Sequence, residues 1–204
     1  MRKPKRLPSR RRAALKTLAV LAALFLLVYF GGTLALTPGR RMALTEYQNG
    51  MPKGRTVLQW RQPGTLNLIC LRASAGALLA YSMRPDLTGW ESADGGFRTS
   101  DRTDGEPLYC CWLKLTEDAP GGGFCGRVDD PDITALTLEL YSDYAYTSDS
   151  LLLSVRTEQD EWVTGPGGGR YFLIPEETFV TPFYYYGLVT LHYADGTTAA
   201  ERFY

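Results

Sequence analysis

Residues 17–36 read TLAVLAALFLLVYFGGTLAL, twenty positions without a charge, and eight basic residues with no acid precede them. At about 1.5 Å of rise per residue, a helix of that length spans about 30 Å, the depth of a bilayer's hydrocarbon core. The segment is therefore expected to cross the lipid bilayer once. Arg2, Lys3, Lys5, Arg6, Arg10, Arg11, Arg12 and Lys16 would hold the N-terminus in the cytoplasm, with the C-terminal part outside. The reading divides the chain into a basic cytoplasmic tail (1–16), a transmembrane helix (17–36), a juxtamembrane segment (37–55) and an exported region (56–204).

Two other export readings compete with this anchor. A cleaved signal has a shorter apolar region, about 7–15 residues, followed by a small-residue site. Thr33 and Ala35 offer such a site. The run Arg11-Arg12-Ala13-Ala14-Leu15-Lys16 approximates a twin-arginine signal but lacks its Phe. The length of the apolar run favours the single-pass anchor.

Charge narrows the partners. The chain carries 22 basic and 22 acidic residues, and its first acid is Glu46. Setting the eight N-terminal bases aside leaves 14 against 22, a net charge of −8 on the exported part. Nucleic acids and anionic polymers need a concentrated positive field, so they are excluded as ligands. A cationic partner, a divalent metal or a neutral sugar remains compatible.

The exported region reads as all-β. Short apolar or alternating runs occur at 56–60, 66–72, 77–83, 108–115, 124–128, 133–141, 151–157, 162–163, 170–174, 187–193 and 198–203. They are rich in β-branched and aromatic residues, and Gly, Pro, Asp and Ser clusters separate them. After residue 36 no long window has a helical apolar period; residues 42–48 suit one or two turns at most. The expectation is an antiparallel sandwich with halves at 56–128 and 133–204, divided by Asp129-Asp130-Pro131-Asp132. A long loop is expected over 84–107, and Asp195-Gly196 is expected to close a two-residue hairpin.

Leu87-Thr88-Gly89-Trp90, the step from Phe124-Cys125-Gly126-Arg127-Val128 through Asp129-Asp130-Pro131-Asp132-Ile133, then Tyr171-Phe172-Leu173 and Ala194-Asp195-Gly196 follow one another in a recognisable order. In this it resembles a diffuse group of small secreted or membrane-anchored β-rich proteins of Gram-positive bacteria. The resemblance implies a β-rich accessory protein of the cell envelope, and it carries over no catalytic or binding residue.

All four cysteines, Cys70, Cys110, Cys111 and Cys125, fall in the first half of the exported region. An oxidising exterior makes them disulfide candidates with three connectivities. Strand neighbours point to opposite faces, so Cys110 and Cys111 should not bond to each other. One of them is expected to meet Cys125 across a hairpin turning at 119–123; the other could reach Cys70. Buried free thiols are the plainer alternative. Zinc or redox chemistry would want a Cys-x-x-Cys spacing that is absent.

The remaining chemistry-bearing features read as structure. Gly121-Gly122-Gly123 and Gly165-Pro166-Gly167-Gly168-Gly169 lack the Gly-Lys-Ser/Thr ending of a phosphate cradle and suit hairpin turns. The single histidine, His192, ends an alternating strand, and no nucleophile elbow accompanies it. Asp101, Asp104 and Glu106, like Asp129, Asp130 and Asp132, do not follow calcium-loop spacing. No metal or cofactor is therefore expected.

Tyrosines carry the one recognition signal. Tyr141, Tyr144 and Tyr146 follow one strand, and Tyr184, Tyr185 and Tyr186 precede another. In a consecutive triplet at least one ring must face away from the core, where it can stack on an envelope glycan or contact an envelope protein. The leading expectation is a non-enzymatic binding or scaffolding domain. The competing one is an envelope hydrolase using Glu91, Asp94 and Asp101 of the 84–107 segment.

Overall fold

The computed structural model describes residues 10–203 other than 31–34, 52, 75–76, 88, 100–106, 116–119 and 183. Twelve strands among these residues form three four-stranded antiparallel sheets. The first sheet is a meander of β1 (Arg55–Arg61), β2 (Leu68–Ser74), β3 (Ala77–Asp86) and β4 (Gly89–Thr99). β5 (Leu108–Lys114) and β6 (Gly122–Val128) begin the middle sheet. β7 (Ile133–Tyr141) and β8 (Leu151–Glu158) belong to the third. The chain then returns to the middle sheet with β9 (Val163–Thr164) and β10 (Arg170–Glu176), and ends in the third with β11 (Tyr186–Tyr193) and β12 (Thr198–Phe203). The all-β expectation holds. The two sequence halves meet within one sheet, because β10 pairs with β6 from Arg170↔Val128 to Glu176↔Gly122.

Alternation along β5 and β6 builds two cores at once. Cys110, Trp112 and Phe124 face the third sheet and join Leu136, Leu138, Leu140, Val189 and Leu191. Cys111, Leu113 and Cys125 face the first sheet and join Ile69, Leu71, Leu78 and Ala80. Every residue of β6 is buried, as expected of a strand covered on both faces. Its glycines admit neighbouring atoms that a side chain would strike. A Cβ on Gly126 would lie 2.2 Å from the Tyr109 carbonyl oxygen and 2.6 Å from the Phe172 ring. Trp112 packs edge-on against Phe124 and Phe179, with centroids at 4.9 and 5.8 Å.

A short helix covers part of the outer face of the first sheet. α1 (Arg10–Phe30) precedes it in the chain, and α2 (Pro38–Gln48) is capped by Thr37, whose hydroxyl accepts the Arg40 N–H at 3.3 Å. Met42 and Glu46, one turn apart, point into the sheet. Met42 meets Leu68, Leu79, Tyr81 and Met83. Glu46 is 2% exposed; its Oε1 lies 3.0 Å from Arg72 Nε and accepts the Tyr81 O–H at 3.3 Å. Its Oε2 accepts the Gly54 N–H at 3.2 Å, and Arg72 donates to the Gly54 carbonyl. α2 is longer than the one or two turns expected, because this network and Met42 hold a helix whose own apolar period is weak.

Three expectations are corrected. The segment expected to form a loop at 84–107 contains β4, which pairs with β3 from Leu79↔Thr99 to Asp86↔Gly89. Gly89, Gly95 and Gly96 depress its strand propensity, and pairing with β3 overrides that. Asp195-Gly196 turns a three-residue loop closed by the Tyr193 N–H on the Thr197 carbonyl at 3.0 Å, with Gly196 at φ 84°. The expected transmembrane helix over 17–36 is not supported. Among the described residues no helix is long and apolar enough to cross a membrane. α1 begins at Arg10, so its uncharged part within the helix is 17–30, and 31–34 lie outside the described residues. Ala35, expected near the end of the span, is 3% exposed and bridges Gly89, with its carbonyl accepting the Trp90 N–H at 2.7 Å.

Removing one partner of a buried ion pair costs about 3–5 kcal/mol. Glu46→Leu should therefore lower the unfolding free energy by about that amount, whereas Glu46→Leu with Arg72→Met should lose clearly less. Gly126→Ala should cost about 1–3 kcal/mol or more through overpacking. Urea denaturation of the three variants measures each value; a neutral Gly126→Ala would contradict the packing of the middle sheet.

Candidate functional site

The two tyrosine runs converge at one end of the open face of the third sheet. Tyr141 ends β7 and Tyr186 begins β11, and the two are register partners. Leu136, Leu138 and Leu140 turn to the core, so Thr137, Glu139 and Tyr141 turn to the opposite face. The turn after β7 then folds back over it. The Ser142 N–H donates to the Ser150 carbonyl at 2.8 Å, and the Ala145 N–H donates to Asp143 Oδ1 at 2.8 Å. This places Tyr146 at φ 53°, the left-handed region that non-glycine residues enter at a cost of about 1–2 kcal/mol. Its ring packs edge-on to Tyr141 at 5.2 Å, and the Arg202 guanidinium of β12 lies 5.0 Å from its centroid. Tyr144 meets Tyr186 at 6.4 Å.

Of the triplet 184–186 only Tyr186 lies in β11. Tyr184 is 75% exposed, Tyr185 packs against the core between the middle and third sheets, and Tyr186 joins the cluster. Tyr144 is 74% exposed. The surface thus presents the Tyr144 ring to solvent beside Tyr141, Tyr146 and Tyr186, while Tyr184 is exposed in the segment that leads into β11. Sequence reading named both tyrosine runs but missed Arg202 and Glu139. The signal for Glu139 is the alternation of β7, which puts it two residues before Tyr141 on the same face. Arg202 is fixed only by the pairing of β12 with β11.

A polar strip continues from the rings along the sheet. Glu139 accepts the Tyr141 O–H at 2.9 Å and the Ser154 O–H at 3.4 Å. Beyond it His192 Nε2 lies 2.9 Å from the Thr137 hydroxyl and 3.1 Å from Arg156 Nη1, so Nε2 accepts and the ring proton sits on Nδ1. Arg156 also holds Glu158 at 2.7 Å. The strip offers a hydroxyl, carboxylate, imidazole and guanidinium side by side. The one hydroxyl set against a base is Thr137 on His192, and the same nitrogen is shared with Arg156.

The other candidates are dispersed or committed elsewhere. All four cysteines are buried free thiols. Cys111 and Cys125 are register partners with sulfurs 3.5 Å apart, matching the expected cross-hairpin neighbours. The contact with Cys111 and then burial push the Cys125 thiol well up, and burial does the same to Cys110. Cys110 faces the third sheet, while Cys70 lies under α2 with Tyr81, so the expected approach of Cys110 to Cys70 does not occur. Glu91 is paired with Arg84 at 2.6 Å, the side chain of Asp94 is not among those described, and Asp101 lies outside the described residues. Asp129 holds Arg127 at 2.7 Å, and Asp130 accepts the Asp132 N–H at 2.9 Å. These carboxylates stabilise a turn and a buried arginine.

Burial, then the Glu139 hydrogen bond and charge, push the Tyr141 phenol from 10.0 up to about 12. A group whose folded value is raised contributes stability that is complete below the unfolded value and lost as pH climbs through the folded one. Stability should therefore decline between about pH 10 and pH 12, and Glu139→Gln should let the phenol ionise earlier. Ultraviolet tyrosinate absorbance of wild type and variant checks both; coincident titrations would show that Glu139 does not act on this ring.

Comparison with protein-family models, with curated proteins and with solved structures found no match, so the tyrosine surface has to be interpreted from its own geometry.

Proposed function

We propose that this chain is a membrane-tethered extracytoplasmic recognition domain that binds a glycan of the cell envelope through the tyrosine surface of its third sheet. One observation carries the reading: Tyr141, Tyr144 and Tyr146 and, from a run distant in sequence, Tyr186 are gathered on one open sheet face, with Tyr144 exposed there and Tyr184 exposed just before β11. Sugar rings stack through their C–H faces on aromatic planes, and their hydroxyls need both donors and acceptors nearby. The strip from Glu139 to His192 supplies both. A net charge of −8 on the exported part suits a neutral glycan better than an anionic one. The tether reading draws support from α1, where every described side chain is exposed, including Leu15 at 65% and Leu27 at 71%, and from the basic residues before it.

Tyr144→Ser and Tyr184→Ser should each weaken retention on purified envelope glycan by about 1–3 kcal/mol, as stacking platforms do. Both should leave the melting temperature nearly unchanged, while Tyr185→Ser should lower stability through its core contacts. Sedimentation of full-length protein in detergent with insoluble cell-wall glycan gives the affinities. Undiminished retention in both exposed-ring variants would reject the glycan reading. Crosslinking of the wild type to one envelope protein, lost in the same variants, would replace the glycan by a protein partner.

We also propose that Cys111 and Cys125 become bonded in the exported protein. Their register places the Cα atoms at a spacing that a disulfide spans. Closure requires exchange with an external disulfide, which takes up two electrons and two protons and leaves as two thiols. It must precede packing of the first sheet on the middle one, since both sulfurs become fully buried. The bond closes a loop of about 15 residues, worth about 3 kcal/mol in the chain-entropy model. Denaturing alkylation of protein taken directly from the membrane should label only Cys70 and Cys110; four labelled thiols would reject the bond.

A further inference from the structure

We infer that the turn joining β3 to β4, with Leu87 at its tip, rests in the outer face of the lipid bilayer together with Leu36, and so fixes the β-body against the membrane. The inference rests on the tether proposed above and adds a second, lipid-facing contact to it.

Chain length sets the position. With Lys16 at the inner boundary of the hydrocarbon, the uncharged part of α1, residues 17–30, covers about 21 Å of the about 30 Å required. Ala35 follows Phe30 by five residue steps, which reach no more than about 17 Å even when fully extended. Ala35 therefore lies at most about 8 Å beyond the hydrocarbon, within or just past the headgroup layer. It is not a free linker there. Its carbonyl accepts the Trp90 N–H at 2.7 Å, and it bridges Gly89 in parallel. Because the bridge is parallel, stepping back from Gly89 to Leu87 leads the same way as stepping back from Ala35 toward α1.

The residues brought to this level have the chemistry of a membrane interface. Leu87 is 101% exposed and Leu36 is 51% exposed, apolar surface of the kind that lipid would cover. Trp90 is half-buried beside them, the residue type enriched at headgroup depth. Arg40 and Arg41 follow within the first turn of α2, where they complement lipid phosphates. Gly89, at φ 121°, permits the approach: a Cβ there would lie 2.0 Å from the Ala35 carbonyl oxygen.

A photoreactive diazirine amino acid placed singly at Leu87, Leu36, Leu24 and Tyr184 of the full-length protein, reconstituted in phosphatidylcholine–phosphatidylglycerol vesicles, tests the inference. Labelling of lipid at Leu87 and Leu36 is expected to exceed that at Tyr184 several-fold and to approach that at Leu24 within α1. Leu87→Asp, a fully exposed turn change, should leave the melting curve in place and lower lipid labelling at Leu36. Lipid labelling at Leu24 with none at Leu87 would overturn the docked turn and leave the tether standing. Absence of labelling at Leu24 as well would overturn the tether and the inference with it.

Discussion

The structure depends on a middle sheet that is covered on both faces. β6 has no solvent side, so each of its residues, from Gly122 to Val128, must fit one of two cores or the thin space between strands. That demand explains its unusual composition. Glycine stands at 122 and 126, where Trp112 and the Tyr109 carbonyl leave no room for a side chain, and at 123, where the Ile174 carbonyl makes the fit tight. Cys125 serves as a small hydrophobe against the first sheet. The one charged residue, Arg127, is neutralised by Asp129 at 2.7 Å and has its guanidinium 5.6 Å from the Tyr171 ring centroid.

Covering the middle sheet also decides where recognition can occur. Each outer sheet commits one face to a core and keeps the other. The first sheet gives part of its outer face to α2, whose dock is polar at its centre. Glu46, Arg72, Tyr81 and Gly54 satisfy one another there, and such networks specify one arrangement where apolar contacts alone would allow several. The third sheet keeps its outer face open, and there the strands display Thr137, Glu139, Tyr141, Arg156 and His192. The left-handed Tyr146 belongs to the same surface. Strain of that kind persists only where surrounding contacts fix it, here the Tyr141 ring and Arg202.

Much of the fold was legible because period-two alternation survives wherever a strand has one wet face. β7 and β12 have the bounds that their patterns indicate, Ile133–Tyr141 and Thr198–Phe203. β4 was not legible, since its glycines remove the local signal and only its pairing with β3 makes it a strand. α2 was hidden for a related reason: its hold on the sheet comes from Glu46, a residue that sequence reading assigns to solvent. For the site, a consecutive triplet had to turn at least one ring outward, and Tyr184 is exposed while Tyr185 packs against the core. Alternation could not foretell that Tyr144 and Tyr186 would meet, because that contact depends on the order of β11 and β7 in the third sheet. Likewise the partner of Cys125 is decided by register: Cys111 lies opposite it, while Cys110 points into the other core.

Stacked sheets lie about 10 Å apart, so about 20 Å separates the first sheet from the third. The N-terminal segment enters at the first sheet, through the Ala35 bridge to Gly89, and the tyrosine face belongs to the third. The Ala35 bridge and the tyrosine face therefore lie on different layers, with the doubly covered middle sheet between them. Substitutions at exposed Tyr144 or Tyr184 cannot disturb the dock of α2, and changes at Leu87 do not touch the rings. Any shift in β6 moves both outer sheets relative to each other, and with them the tyrosine face and the Ala35 bridge.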